Sequence, residues 1–151
     1  MTYRILITGS RTWSDERVIW DAITDAIDQA AARGEHEFVV VHGACPRGAD
    51  AIADLYCEDQ AGWRDNVGQE LAVERHPADW ASCGPDCRDS HRRPGRGGTT
   101  YCRYAGHARN QAMVNLGADL CLAFIKNRSR GATDCARRAR AAGIEVKEWP
   151  A

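Results

Sequence analysis

Residues 38 to 56 read FVVVHGACPRGADAIADLY. Phe38 to His42 is an unbroken apolar, β-branched run of strand length, Gly43 to Gly48 is a glycine-bounded loop, and from Ala49 to about Gln60 the residues Ile52, Ala53, Leu55 and Tyr56 recur at helical spacing. A strand with no polar alternation is buried on both faces, the usual condition of a strand in a parallel sheet. The stretch is a strand, a loop and a helix in succession, and the same unit recurs on either side of it.

Upstream, Arg4 to Thr8 (RILIT) is a short strand that ends at Gly9. Ser14 or Asp15 can then cap a helix carrying Val18, Ile19, Ala22, Ile23, Ala26, Ile27 and Ala30 on one face, closed by Gly34. Downstream, Glu70 to His76 (ELAVERH) is a weaker strand ended by Pro77, which cannot donate to a sheet ladder. A polar segment follows that reads as neither helix nor strand. The spacing then predicts a helix over Ala108 to Leu116, stopped at Gly117, and a strongly apolar strand over Leu120 to Ile125 (LCLAFI). Ser129 to Thr133 is a turn opening a helix over Asp134 to Ala142, and Ile144 to Trp149 is a last, edge strand. Five strands alternating with four helices specify an α/β fold: one Rossmann-like, doubly wound domain over residues 1–151, its parallel sheet covered by helices on both faces.

Twenty basic and 21 acidic residues leave a formal net charge of −1, so nothing draws the whole chain towards nucleic acid or anionic lipid. Any anion site must be local. The opening MTYRILITGSRTW has an apolar run too short for a secretion signal or a membrane span, and the expectation is a soluble, cytoplasmic protein with no membrane partner. Seven cysteines in a reducing compartment are thiols or metal ligands rather than disulfides. Cys57 and Cys135 fall in helical patterns and Cys121 in an apolar strand, where a small buried hydrophobe suffices. Cys83, Cys87 and Cys102 share one polar segment.

In an open parallel sheet, ligands bind beyond the carboxyl ends of the strands, where loops enter helix N-termini with free amide donors. Three such loops here suit an anion. After the first strand come Gly9, Ser10 and Arg11. After the second come Gly43 and Gly48 with Asp50 just inside the helix, either a partner of the helix dipole or a ribose or base contact. After the fourth come Ser129, Gly131 and Thr133, while Arg109 and Asn110, which open the third helix, can reach the same cleft. Neither the G-x-G-x-x-G fingerprint nor the G-x-x-x-x-G-K-[ST] loop is present, which argues against an ordinary dehydrogenase or P-loop ATPase.

GSRTW, VVHGACPRGAD, ERHPADW, the Arg109-Asn110-Gln111 triplet and FIKNRSRGAT together resemble the YspA or YpsA-related branch of the SLOG superfamily, of bacterial and phage distribution, over nearly the whole chain apart from the polar segment. The resemblance implies a Rossmann-like fold that binds a nucleotide or an NAD- or ADP-ribose-type derivative as a sensor or sequestering module. It implies that Gly9, Ser10, Arg11, Gly43, Gly48, Asp50, Arg109, Asn110, Ser129, Gly131 and Thr133 line the ligand cleft. Relatives that pair through helices make a homo-oligomer the expectation. Other relatives are phosphoribohydrolases that cleave an N-glycosidic bond with the glutamate of a P-G-G-x-G-T-x-x-E loop. The corresponding region here, Asn127 to Ala136, has no glutamate at that spacing, so Asp50 and Asp134 are the candidate carboxylates for an N-glycosidic hydrolase, and Asp134 serves equally well as a helix cap. A third alternative, nucleic-acid binding, draws on the related core of the DNA-processing protein DprA.

The polar segment, residues 81–104, contains SCGPDCRDSHRRPGRGGTTYC. Cys83, Cys87, His91 and Cys102 make the Cys₃His set that closes tetrahedrally on Zn2+, with His107, His76, Cys45 and Asp86 as reserve ligands. A polar loop of about 25 residues cannot bury enough apolar surface to offset its ordering entropy. A structural zinc would supply on the order of 10 kcal/mol. The arginines of this segment, Arg88, Arg92, Arg93, Arg96 and Arg103, belong either to a solvated loop or to a lid over the phosphate loops, with Trp80 and Tyr101 flanking them as stacking or packing groups.

Overall fold

The computed structural model describes residues 1–83, 87 and 92–150. Along the chain it forms β1 (Thr2–Gly9), α1 (Glu16–Ala32), β2 (Glu37–His42), α2 (Ala49–Asn66), β3 (Glu70–Arg75), β4 (Arg92–Pro94), β5 (Thr100–Cys102), α3 (Ala105–Asn115), β6 (Leu120–Ile125), α4 (Arg130–Ala141) and β7 (Glu145–Pro150). Five strands make one parallel sheet in the order β3-β2-β1-β6-β7. The expected doubly wound α/β domain is present.

The register explains why both faces are covered. Ile5 pairs with Val40 on one side and Leu120 on the other, and all three side chains join Ile7, Phe38, Leu122 and Phe124 against α1 and α2. One residue on, Leu6 pairs with Val41 and Cys121, and these join Met113, Cys135 and Ala139 of α3 and α4 on the opposite face. Because strand side chains alternate, a slip of one residue would exchange the two cores. On α1 the isoleucines 19, 23 and 27 are fully buried, each contributing about 2 kcal/mol of apolar burial. Asp15 rather than Ser14 caps that helix, accepting the Val18 amide.

Three helix boundaries differ from the sequence expectation, each for a tertiary reason. α2 continues past Gln60 to Asn66 because Arg64, only 2% exposed, is drawn under the helix to Tyr56 Oη and Gln69 Oε1. α3 begins at Ala105 instead of Ala108, with Gly106 against the Trp80 indole, so Arg109 and Asn110 lie in its second turn and do not open it. α4 begins at Arg130 instead of Asp134, with Ser129 at its N-cap position. Asn110 donates to the Gly131 carbonyl and to Asp134 and so holds that first turn, and Asp134 is therefore inside the helix and not its cap.

The polar segment also differs: its second half is an antiparallel hairpin of β4 and β5 around a 3-10 turn at Arg96–Gly98. Gly97 and Gly98 have φ of 65° and 76°, left-handed values that glycine tolerates, and Arg92 bonds across the hairpin to Thr100 Oγ1 and the Thr100 carbonyl. Among the described residues, no helix is long and apolar enough to cross a membrane.

The strand order reverses between β1 and β6. The chain leaves β1 for α1 on one face and leaves β6 for α4 on the other, which opens a crevice at the carboxyl ends of these two neighbours.

Candidate functional site: a cationic cleft beside a thiol cluster

A cleft of about 1030 Å³ occupies that crevice. The loops after β1, β2 and β6 form its floor and sides, and α3 and the polar segment close it through Trp80, Arg96, Arg103 and His107. Its lining includes six Arg or Lys side chains, Arg11, Arg47, Arg96, Arg103, Arg109 and Lys126, against one carboxylate among the described residues, Asp50. A chain with net charge −1 thus has one concavity in which cations outnumber carboxylates, among the described residues. The α4 N-terminus adds backbone donors: Ser129, Gly131 and Ala132 line the cleft, and the amides of a first helical turn have no partner within the helix.

Gly9 and Gly48 of the first two loops are required by the protein's own packing. A Cβ on Gly9 would stand 2.3 Å from Ala49 Cβ, and one on Gly48, already at φ 76°, would meet the Ser10 carbonyl oxygen at 2.3 Å. Gly43 is fitted against Arg109, whose guanidinium a Cβ would overlap at 2.4 Å. Gly131 is different: nothing lies within 4 Å of the position its Cβ would take.

Several expected ligand contacts are occupied by the protein itself. Ser10 Oγ accepts the Lys126 amide at 2.7 Å and donates to the Lys126 carbonyl at 3.1 Å. Arg109 donates through Nη1 to the carbonyls of Gly43 and His76, joining the loops after β2 and β3. Asn110 is committed to α4. Arg11 stays exposed, its guanidinium 5.7 Å from the Trp80 ring centroid. Gly48 and Thr133 are not among the lining residues; Gly48 packs behind the β1 loop and Thr133 is exposed on α4.

The two candidate carboxylates occupy unlike environments. Asp50 lines the cleft and is nearly buried; burial pushes its carboxyl up from the ordinary value, against the opposing pull of His42, the Cys45 amide and Arg109. Its Oδ2 accepts the Cys45 amide at 3.2 Å. Asp134 is not among the lining residues and accepts from Arg137, Arg138 and Asn110. Burial pushes its carboxyl up, but Arg138 and Asn110 outweigh that and hold it below the usual range.

The sequence reading did not single out Arg47, Lys126 or Asn127 as lining residues, and it treated His107 only as a reserve metal ligand. A signal for the loop positions was available only in part. Ala44 and Asn127 take left-handed backbone, φ 57° and 53°, at loop bends beside the cleft, which asparagine tolerates and alanine gives no hint of.

Beside the cleft, the Sγ atoms of Cys83, Cys87 and Cys102 all lie within 4.8 Å of one another. Cys87 and Cys102 are 3.7 Å apart, too far for a disulfide and close to the roughly 3.8 Å edge of a tetrahedron of sulfurs about 2.3 Å from a central zinc. Arg92 Nη1 donates to Cys83 Sγ at 3.0 Å. The three thiols can hold a metal ion. The expected fourth ligand His91, the reserve Asp86 and the lid arginine Arg88 lie outside the described residues. Among those described, His76 is paired to Glu74, and His107 and Cys45 line the cleft instead. The other cysteines are unlike these: burial raises the Cys57 thiol to about 12 and the Cys135 thiol to about 11, and it also raises Cys121, as befits inert core residues.

Comparison with known proteins adds two findings. The YspA, cpYpsA-related SLOG family (YAcAr) matches residues 3–82, ending one residue before Cys83. The Gene 61 protein of Mycobacterium phage D29 is 41% identical over 143 residues, which are 95% of this chain and 93% of that protein. No solved structure matches.

Proposed function

The chain belongs to the YspA, cpYpsA-related SLOG family, and we propose that it binds a nucleotide or nucleotide derivative, of the nucleoside phosphate or NAD/ADP-ribose class, as a sensor or sequestering module. The observation that carries this reading is the cleft at the β1–β6 switch point with six cationic side chains and one carboxylate. A phosphate is received by the free amides at the start of α4 together with Lys126 and Arg11. Ser10, Arg109 and Asn110 line the cleft and hold its loops in position. Asp50, beside the second loop, accepts from a ribose hydroxyl or a base.

Thermal denaturation against AMP, ADP-ribose, NAD and cyclic dinucleotides tests the reading. A ligand at 100 times its Kd adds about 2.7 kcal/mol of stability. If every member of that panel leaves the melting temperature unchanged, nucleotide binding at this cleft is wrong.

The cysteine cluster is read as a structural Zn2+ site, with His91 as fourth donor by its spacing in the sequence. Support comes from the mutual approach of three thiols and from the tetrahedral length of the Cys87–Cys102 separation. Metal analysis of the purified protein should find one zinc per chain; a metal-free protein with an equally protease-resistant segment contradicts it.

One observation favours a second reading, an N-glycosidic hydrolase. Asp50 is a desolvated carboxyl with a raised pKa inside the cleft, the condition of a general acid. Release of free base from a nucleoside monophosphate, lost in Asp50→Asn, would establish it.

A further inference from the structure

The cleft stands at the upper end of the roughly 300–1,000 Å³ range of small-ligand pockets, with room for more than one phosphorylated sugar and base. Its walls have different origins. Lys126 and the α4 N-terminus are carried by the sheet. Arg96 and Arg103 are supplied by the polar segment, and Trp80 stands immediately before it.

The second wall is tied to the thiol cluster by a short covalent and hydrogen-bonded path. Cys102, 1% exposed, is the buried member of the cluster, and its own backbone amide donates to the Trp80 carbonyl at 2.7 Å. The Trp80 indole packs edge-on to Tyr101, covers Gly106 at the start of α3 and borders the Arg11 guanidinium. Arg103 is the next residue after Cys102, and Arg96 lies in the turn of the hairpin whose Arg92 reaches Cys83. Whatever fixes the three sulfurs fixes this wall of the cleft.

We propose that Trp80, Arg96 and Arg103 form a second subsite, for the far half of a ligand that carries two phosphates, and that a thiophilic metal at Cys83, Cys87 and Cys102 holds that subsite in place, so that metal and ligand binding are linked. The inference rests on nucleotide binding at the cleft and names the ligand class and its control. The metal performs no chemistry on the ligand. It removes conformational freedom from the wall, and the ligand meets a preorganised pair of guanidinium groups and an aromatic face. Linkage is reciprocal: whatever factor the metal adds to ligand affinity, the ligand adds to metal affinity.

Titration calorimetry on the full chain, loaded with Zn2+ or stripped with a chelator, tests this with two probes. ADP-ribose, with two phosphates, should bind at least about fivefold more weakly to the stripped protein, the low end of ordinary coupling factors. AMP, with one phosphate, should change less than about twofold, since the α4 end is held by the sheet. Saturating ADP-ribose should tighten Zn2+ by the same factor that Zn2+ tightens ADP-ribose. In Trp80→Ala the metal dependence should vanish while the protein still takes up one zinc; Arg103→Met offers a second variant on an exposed side chain. If neither probe binds the zinc-loaded protein, the nucleotide reading fails and takes this inference with it. If both bind and stripping changes them equally or not at all, or if the chain takes up no metal, the linkage alone is overturned.

Discussion

Ser10 Oγ accepts the Lys126 amide at 2.7 Å and returns a hydrogen bond to the Lys126 carbonyl at 3.1 Å, closing the loop after β1 onto the loop after β6 across the point where the strand order reverses. Ser10 is 2% exposed, so its loss leaves a part-buried amide without its partner. Ser10→Ala should destabilise the fold by about 2 kcal/mol, which denaturant unfolding would register, and should widen the cleft's phosphate end enough to weaken AMP. Native-like stability in that variant would show the hydroxyl to be dispensable.

Gly131 separates fold from binding. Nothing lies within 4 Å of where its Cβ would stand, on the first turn of a helix that prefers alanine to glycine. Gly131→Ala should therefore melt no lower than the native protein, and higher by up to about 1 kcal/mol of stability. The same methyl intrudes on the phosphate end, so AMP affinity should fall by about tenfold or more, equivalent to about 1.4 kcal/mol. Undiminished affinity would place the phosphate elsewhere. Gly9→Ala and Gly48→Ala should instead lose stability outright, because their Cβ atoms would meet the protein's own atoms at 2.3 Å.

Asp50 gives a pH signature whose sign follows from burial. Its folded pKa is raised above the ordinary value near 4, so its contribution to stability is fully present below about pH 4 and is lost as pH rises through the raised value. Asp50→Asn keeps an acceptor for the Cys45 amide and cannot ionise. Its melting temperature should match the native protein at acid pH and equal or exceed it at neutral pH, with the gap growing upward. Asp50→Ala removes the acceptor and should lie about 1 kcal/mol below Asp50→Asn throughout. A gap that shrinks with rising pH would contradict the burial argument.

Glu74 shows the opposite sign. Hydrogen bonds from Arg4, and then from His76, hold its carboxyl down at about 2. The stability it contributes is complete above its ordinary value near 4.3 and is lost as pH falls from there towards 2. With the Arg4 and Glu74 side chains 24% and 34% exposed, solvent screening limits the effect to about 1 kcal/mol. Glu74→Gln should lower stability at pH 7 by that amount and flatten the acid limb of the stability profile. An unchanged limb would mean the pair is already solvated.

Removal of metal should act locally. Arg92 and Arg96 in the hairpin and Arg103 just after it are trypsin sites, whereas the bond from Arg93 to Pro94 resists that enzyme; Arg92 itself reaches Cys83 of the thiol cluster. Chelation should expose them to cleavage between Ala81 and Tyr104 while α1, α2 and the sheet keep their far-ultraviolet dichroism, since the two cores contain, of the cluster, none of the three sulfurs. Identical digestion patterns with and without chelator would remove the staple.

The sequence alone determined the alternation of strands and helices, the parallel sheet and the loops that border the cleft. The apolar period of FVVVH and LCLAFI and the glycines that end them are local signals, readable without any neighbour. It also brought Cys83, Cys87 and Cys102 under suspicion by composition, because a polar segment of that length has no other source of order. Only the tertiary structure decided where each candidate residue stands and what it touches. Asp50 and Asp134 are alike as letters, yet one lines the cleft and the other is consumed by Arg137, Arg138 and Asn110. Gly9 and Gly131 look equally like phosphate-loop glycines, but one is demanded by Ala49 and the other opens onto empty space. Ser10, Arg109 and Asn110 line the cleft and also tie its loops together, a second role that the sequence did not announce. Arg137 and Arg138 reach Asp134 at helical spacing, but Asn110 with Asp134 and Ser10 with Lys126 are pairs 24 and 116 residues apart, and no local period encodes contacts of that range.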